Sequence, residues 1–263
     1  MFTENDLYTE ITKRFGTIKR ARGTYLYTEK GVRLTDLYEE GGRAILGWGG
    51  GAAFTMFKNV LERGITGSFN TDFTPRVSKA VSSLLASERK VFCFTSEASS
   101  RTAATALGFQ TVSLWRPWNQ DGINWSNEDC VLLEPPLPWT KSVYLLCVSL
   151  EALKSDNLEV HEDIIPAPLA AAVTRAIYDM IKVLQEREEK NWFLYDTVLT
   201  KYWTRKGPYL YPKISEKDYE SFVLHCLDCN LVISPYYEVP SIVPFGVDKG
   251  VFTLLKRGDY GAK

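Results

Sequence analysis

The chain has 263 residues, 45% of them apolar, which is enough for one large domain or two smaller ones with a sizeable core. Its 31 basic side chains against 32 acidic ones leave a net charge of -1, so the total charge predicts neither a nucleic acid nor an anionic membrane as a partner. No apolar run approaches the roughly 18 residues that span a bilayer, and no basic-then-apolar leader opens the chain, so a cytoplasmic protein is expected.

From Glu4 to Phe15, the apolar residues Leu7, Ile11 and Phe15 recur at intervals of four and predict an amphipathic helix. RGTYLYT and VRLTDLY follow as two alternating runs around Glu29, Lys30 and Gly31, the pattern of a hairpin. GGRAILGWGGGAAF then places glycines at positions 41, 42, 47, 49, 50 and 51, a closely approached backbone around Trp48. Helical patterns cover about 53–64 and about 74–86, with Thr74 as cap and Pro75 in the first turn.

Beyond these, KVFCF, a helix from about 97 to 107, TVSLW, CVLL and SVYLLCV alternate strand with helix and predict a buried, largely parallel sheet. The tryptophan-bearing loop RPWNQDGINWSNED lies among them. From Pro168 to about Trp203 an apolar stripe from Ala171 to Leu199 predicts one long connector helix. The tail predicts a helix over 215–229 and strands LVISP, SIVPF and VFTLL, an α+β unit.

This order of parts resembles the class III aminotransferases, fold-type I pyridoxal-phosphate enzymes. The resemblance is carried by the hairpin GTYLYTEKGVRLTDLYEEGG, the glycine-rich loop with Trp48, the unit KVFCFTSEASSRTAATAL, the helix opening at PLAAAV and the C-terminal α+β unit. It covers about the first 110 residues and the last 100. It implies a reduced α/β fold of the aminotransferase type, organised as 1–50 (helix and hairpin packing with the C-terminal subdomain), 51–165 (a reduced large domain) and 166–263 (connector helix and C-terminal subdomain). Dimers are the family's habit, so a homodimer is expected.

At the strand-to-helix turn, Thr95, Ser96, Glu97, Ala98 and Ser99 form a cup of small residues. Unpaired N–H groups and the positive end of the helix dipole could hold a phosphate there. Ser96 capping a core helix is an equally open reading. The resemblance would place the phosphate of pyridoxal phosphate on this turn and assign the Schiff-base lysine to Lys141, in LLEPPLPWTKSVYLLCV. The family's glycines around that lysine and its aspartate-glutamate-valine segment are absent, and the chain is shorter than a family member between TAATALGF and PLAAAV. The expectation is therefore a degenerate aminotransferase-like protein with no cofactor. Catalysis through Lys141 on pyridoxal phosphate, or binding of a phosphorylated metabolite without chemistry, are the alternatives.

Trp48, Gly49 and Glu134 are candidates for lining the pocket, Glu134 because it ends the apolar strand CVLLE. The loop tryptophans could converge near the glycine-rich segment. Five cysteines, an odd number with three in apolar runs, suit reduced core thiols. His225-Cys226-Leu227-Asp228-Cys229 closes a helix and reads as packed thiols, with Asn230 as a left-handed terminator. Glu159, Glu162 and Asp163 around His161 read as a solvated acidic helix start. No metal site is expected.

Overall fold

The computed structural model describes residues 2–119, 122–153, 160–258 and 260, and the chain divides into two units, Met1–Gly49 with Arg187–Lys263, and Gly50–Glu186. Along the chain run α1 (Glu4–Phe15), β1 (Ile18–Arg22), β2 (Tyr25–Thr28), β3 (Arg33–Asp36), α2 (Gly51–Leu61), α3 (Phe73–Leu85), β4 (Arg89–Phe94), α4 (Glu97–Ala106) and β5 (Ser113–Leu114). They are followed by β6 (Cys130–Leu133), β7 (Tyr144–Ser149), α5 (Ala167–Glu186), α6 (Lys190–Phe193), α7 (Asp196–Leu199), β8 (Trp203–Lys206) and β9 (Tyr209–Pro212). Finally come α8 (Glu216–Asp228), β10 (Leu231–Val232), β11 (Ser241–Ile242) and α9 (Thr253–Arg257).

In the first unit, α1 opens with a capping box: the Thr3 hydroxyl accepts the Asp6 N–H while the Asp6 carboxylate accepts the Thr3 N–H. Leu7 and Ile11 are its buried stripe. The expected hairpin forms as β2 and β3, antiparallel with Leu26 opposite Leu34, and Gly31 turns it at φ +77. β10, from the far end of the chain, adds in parallel to β3 with Leu231 opposite Thr35 and Val232 opposite Asp36. One sheet thus contains both ends of the sequence, in the order β1-β2-β3-β10. A second sheet, β11-β9-β8, is antiparallel throughout. Helix α8 ends where expected, on Asn230 at φ +60.

The second unit holds the sheet β4-β7-β6-β5. Phe92, Phe94, Cys130, Leu132, Tyr144, Leu146 and Val148 form a buried cluster with Ala104 of α4. Helix α5 buries the alanine-led stripe Ala170, Ala171, Ala172, Val173, Ala176 and Ile177, and it packs on α2 and α3. Gly50 starts α2 at φ +62, and a Cβ there would lie 2.2 Å from the Phe54 ring, so only glycine fits.

Four expectations are corrected. The sheet is mixed: β4–β7 and β6–β7 are antiparallel, and only the short β5 pairs in parallel. The ten residues from Glu134 to Val143 hold three prolines and are too few for a helical crossover, so the chain reverses. The predicted helix to Trp203 stops at Glu186, where the Asn191 side chain takes the Glu188 N–H at 2.7 Å and competes with the helical bond. VFTLL is helical, because Asp248 caps the preceding turn through the Gly250 N–H. Helix α3 begins at Phe73 after Asp72, one residue before the expected cap Thr74.

Candidate functional site

β4 ends at Phe94 and α4 begins at Glu97, so Thr95 and Ser96 make the whole turn. Ser96 has extended backbone, and its hydroxyl accepts the Ser99 N–H at 3.1 Å and lies 2.8 Å from the Ser99 hydroxyl. One orphan donor of the helix is thereby used internally.

Both donors of Thr95 are also taken. The backbone N–H and the hydroxyl of Thr95 both donate to one carboxylate oxygen of Asp163, each at 2.7 Å. The segment that carries Asp163 is fastened alongside β4. The Asp163 N–H donates to the Cys93 carbonyl at 2.8 Å, and the Cys93 N–H donates to the Glu162 carboxylate at 3.0 Å. An anion of the chain itself therefore sits on the N-terminal side of α4, where the dipole and free N–H groups favour negative charge. Hydrogen bonds from Thr95 hold the Asp163 carboxyl below the usual aspartate range. Ala98, Ser99, Thr102, His161 and Asp163 line a cavity of about 480 Å³. Asp163 also borders a second cavity of about 340 Å³, lined by residues such as Ser68, Asn70, Thr71 and Glu162.

Strand register brings further candidates to this end of the sheet. Phe94 lies opposite Tyr144 and Leu133 opposite Leu145, so the turn after β4, Glu134 after β6 and the loop through Lys141 into β7 share one edge. Glu134 and Lys141 are both half-buried. Trp48 and Gly49 belong to the other unit. There the Trp48 indole donates to the Asp36 carboxylate at 2.7 Å, and its backbone bridges Gly23. Of the loop tryptophans, Trp139 packs against Phe54, at the end of the glycine-rich segment, and against Phe57, and Trp115 is buried.

The composition gave no signal for two polar features. Asp36 is 1% exposed and accepts the N–H groups of Tyr38 and Glu39 besides the Trp48 indole; burial raises its carboxyl, and that of Glu39, above the usual range. Glu39 and Glu40 adopt positive φ (50 and 54), an uncommon conformation for side chains of this kind. Arg89, 4% exposed, donates to the Ser87 hydroxyl and to the carbonyls of Trp125, Ser126 and Glu128, pinning the tryptophan loop.

All five cysteines are buried and free. Cys229 Sγ lies 3.9 Å from His225 Nε2 at the C-terminal end of α8, and burial raises both Cys226 and Cys229, so these thiols are packed rather than activated. Among the described residues no group of three or more His, Cys, Asp and Glu side chains is placed to hold a metal. Glu159 lies outside the described residues.

No family model matches the chain. An uncharacterized protein of Treponema pallidum is 28% identical, with 89% of this chain and 91% of that protein covered. One of Borreliella burgdorferi is 24% identical, with 91% and 88% covered. Among solved structures, the ornithine delta-aminotransferase of Plasmodium falciparum superposes with a TM-score of 0.69 at 12% identity, covering 97% of each chain. The ornithine aminotransferase of Toxoplasma gondii, whose active site holds pyridoxal phosphate at partial occupancy, gives 0.66 at 10% identity, with 97% of this chain and 94% of that one covered. These likenesses show an aminotransferase-like α/β fold. No helix among the described residues is long and apolar enough to cross a membrane.

The arrangement of the turn does not fit the phosphate of such a cofactor. Both Thr95 donors and the Ser96 hydroxyl are engaged within the chain, and a phosphate there would meet the Asp163 carboxylate, a like charge.

Proposed function

We propose that this chain is a degenerate member of the aminotransferase fold that performs no covalent pyridoxal-phosphate catalysis and serves as a homodimeric binding or structural protein. One observation carries the reading: the Asp163 carboxylate is seated on both donors of Thr95 at the turn where the resemblance puts a phosphate. Lys141 supports it as well, since it lies in a proline-rich loop without the glycines that accompany the lysine in the family. The dimer rests on the fold, whose enzymes assemble in pairs.

The experiment is an absorbance scan of the purified protein with and without added pyridoxal phosphate. No visible band of a lysine-linked cofactor is expected in either sample. A band that appears on addition and disappears in Lys141→Ala would overturn the proposal. Light scattering tests the assembly separately, with a mass of twice 29.8 kDa expected.

A further inference from the structure

The first unit contains a cavity of about 370 Å³ between the N-terminal half of α8 and the segment that follows β10, within the range of small-molecule sites. Its aromatic wall includes Tyr219, Tyr236 and Tyr237. Tyr219 is buried and its hydroxyl donates to the Ser234 carbonyl at 2.9 Å, while the Tyr236 hydroxyl accepts the Glu4 N–H at 3.4 Å. With these phenol oxygens committed to backbone groups, the wall meets an occupant chiefly through rings. The Tyr219 and Tyr237 rings pack edge to face at 5.4 Å. The wall is also held in advance of any binding: the Ser234 N–H donates to the Ser241 hydroxyl, and the Tyr236 N–H to the Ser234 hydroxyl.

The rim is acidic. Glu216, Glu220 and Glu238 line the cavity, and Lys217 is the single basic residue to do so. Three carboxylates against one ammonium leave a formal charge of -2. None of the three carboxylates makes an ion pair or hydrogen bond among the described residues, and Glu216 and Glu220 stand one helical turn apart, where like charges repel. An anion is repelled by this rim, and a neutral apolar ligand leaves its charge uncompensated. A cation with an apolar stem satisfies both surfaces, its charge against the π-faces and carboxylates and its stem against the rings.

We infer that this cavity binds a small organic cation of the alkylammonium class. The inference stands independently of the reading of the turn at 95–99. The test uses the full chain at low ionic strength with choline as probe and 3,3-dimethylbutan-1-ol, its neutral carbon isostere, as control, followed by calorimetric titration. Saturable choline binding is expected, with the isostere weaker by about 10-fold. The double variant Glu220→Gln/Glu238→Gln, both positions exposed, is expected to weaken choline with an unchanged melting temperature, and Lys217→Glu to tighten it. Tyr237→Leu is expected to weaken choline and the isostere together. Absence of saturable choline binding, equal affinity for the isostere, or choline affinity unmoved in the glutamine double variant would each overturn the inference.

Discussion

Two aspartates in this chain respond to their surroundings in opposite directions, and the difference is one of solvent. Asp163 is half-buried and accepts two hydrogen bonds from Thr95, so its ionised form is favoured. A carboxyl lowered in the folded state adds stability above its unfolded value of 3.8 and loses it as pH falls through the folded value. Thr95→Val removes the hydroxyl, the first cause of that lowering, and should move the Asp163 titration, followed by NMR, up toward the ordinary range. A titration that stays where it was would show that the hydroxyl bond does not form. Asp36 is buried, and the lost hydration outweighs the three hydrogen bonds it accepts, so its carboxyl is raised. Its contribution has the reverse sign: stability falls as pH rises from 3.8 through the folded value. Trp48→Phe deletes the indole donor and leaves a buried carboxylate oxygen short of a partner. A loss of about 1–3 kcal/mol is expected at neutral pH by urea denaturation. The loss should shrink in acid, where the carboxyl is protonated, and a loss independent of pH would place the effect in packing instead.

Elements were legible in the sequence wherever one local pattern determines them. The spacing of Leu7 and Ile11, the Gly31 turn, the start of α4 after Ser96 and the Asn230 stop all rest on neighbours within a few residues. The direction of β7 was not legible, because apolar runs look alike whichever way they point. The β8–β9 hairpin fell in a stretch given no element, just past the end of the predicted helix at Trp203, since YWTRK and YLYP flank Gly207 and Pro208 without a strong apolar alternation. Long-range polar partners were the least legible. Asp163 reads as one member of a solvated acidic loop until Thr95, 68 positions earlier, is placed beside it. Arg89 lies just before the predicted strand KVFCF, and nothing near it in sequence points to the carbonyls of 125–128 that close around it. Arg89→Met should cost the second unit about 3 kcal/mol, the worth of several charge-assisted bonds to half-buried carbonyls. The emission of Trp125, whose carbonyl the guanidinium holds, should report the same transition. A fully stable variant would mean that water replaces those bonds without loss.

At the scale of the molecule, the two ends of the chain are interdependent. The Thr35 N–H donates to the Asn230 carbonyl, the Leu37 N–H to the Val232 carbonyl, and the Ile242 N–H to the Leu37 carbonyl, so β3 bonds on one side to a strand some 200 residues later. Arg14 of α1 adds an ion pair with Asp228 and a bond to the Leu224 carbonyl. Residues 187–263 without 1–49 would leave the N–H and C=O groups of β10 unpaired and uncover Leu231 and Val232, which are buried in the intact chain. Among the described residues, the strands of 50–186 pair only with one another, within one contiguous stretch of sequence that also holds the long helix. A fragment spanning 50–186 should therefore show native-like circular dichroism and cooperative melting by itself. Residues 187–263 should be largely unfolded alone and gain structure when 1–49 is added in trans. Folding of 187–263 in isolation, with no change on adding 1–49, would show that the terminal strands meet without supporting each other.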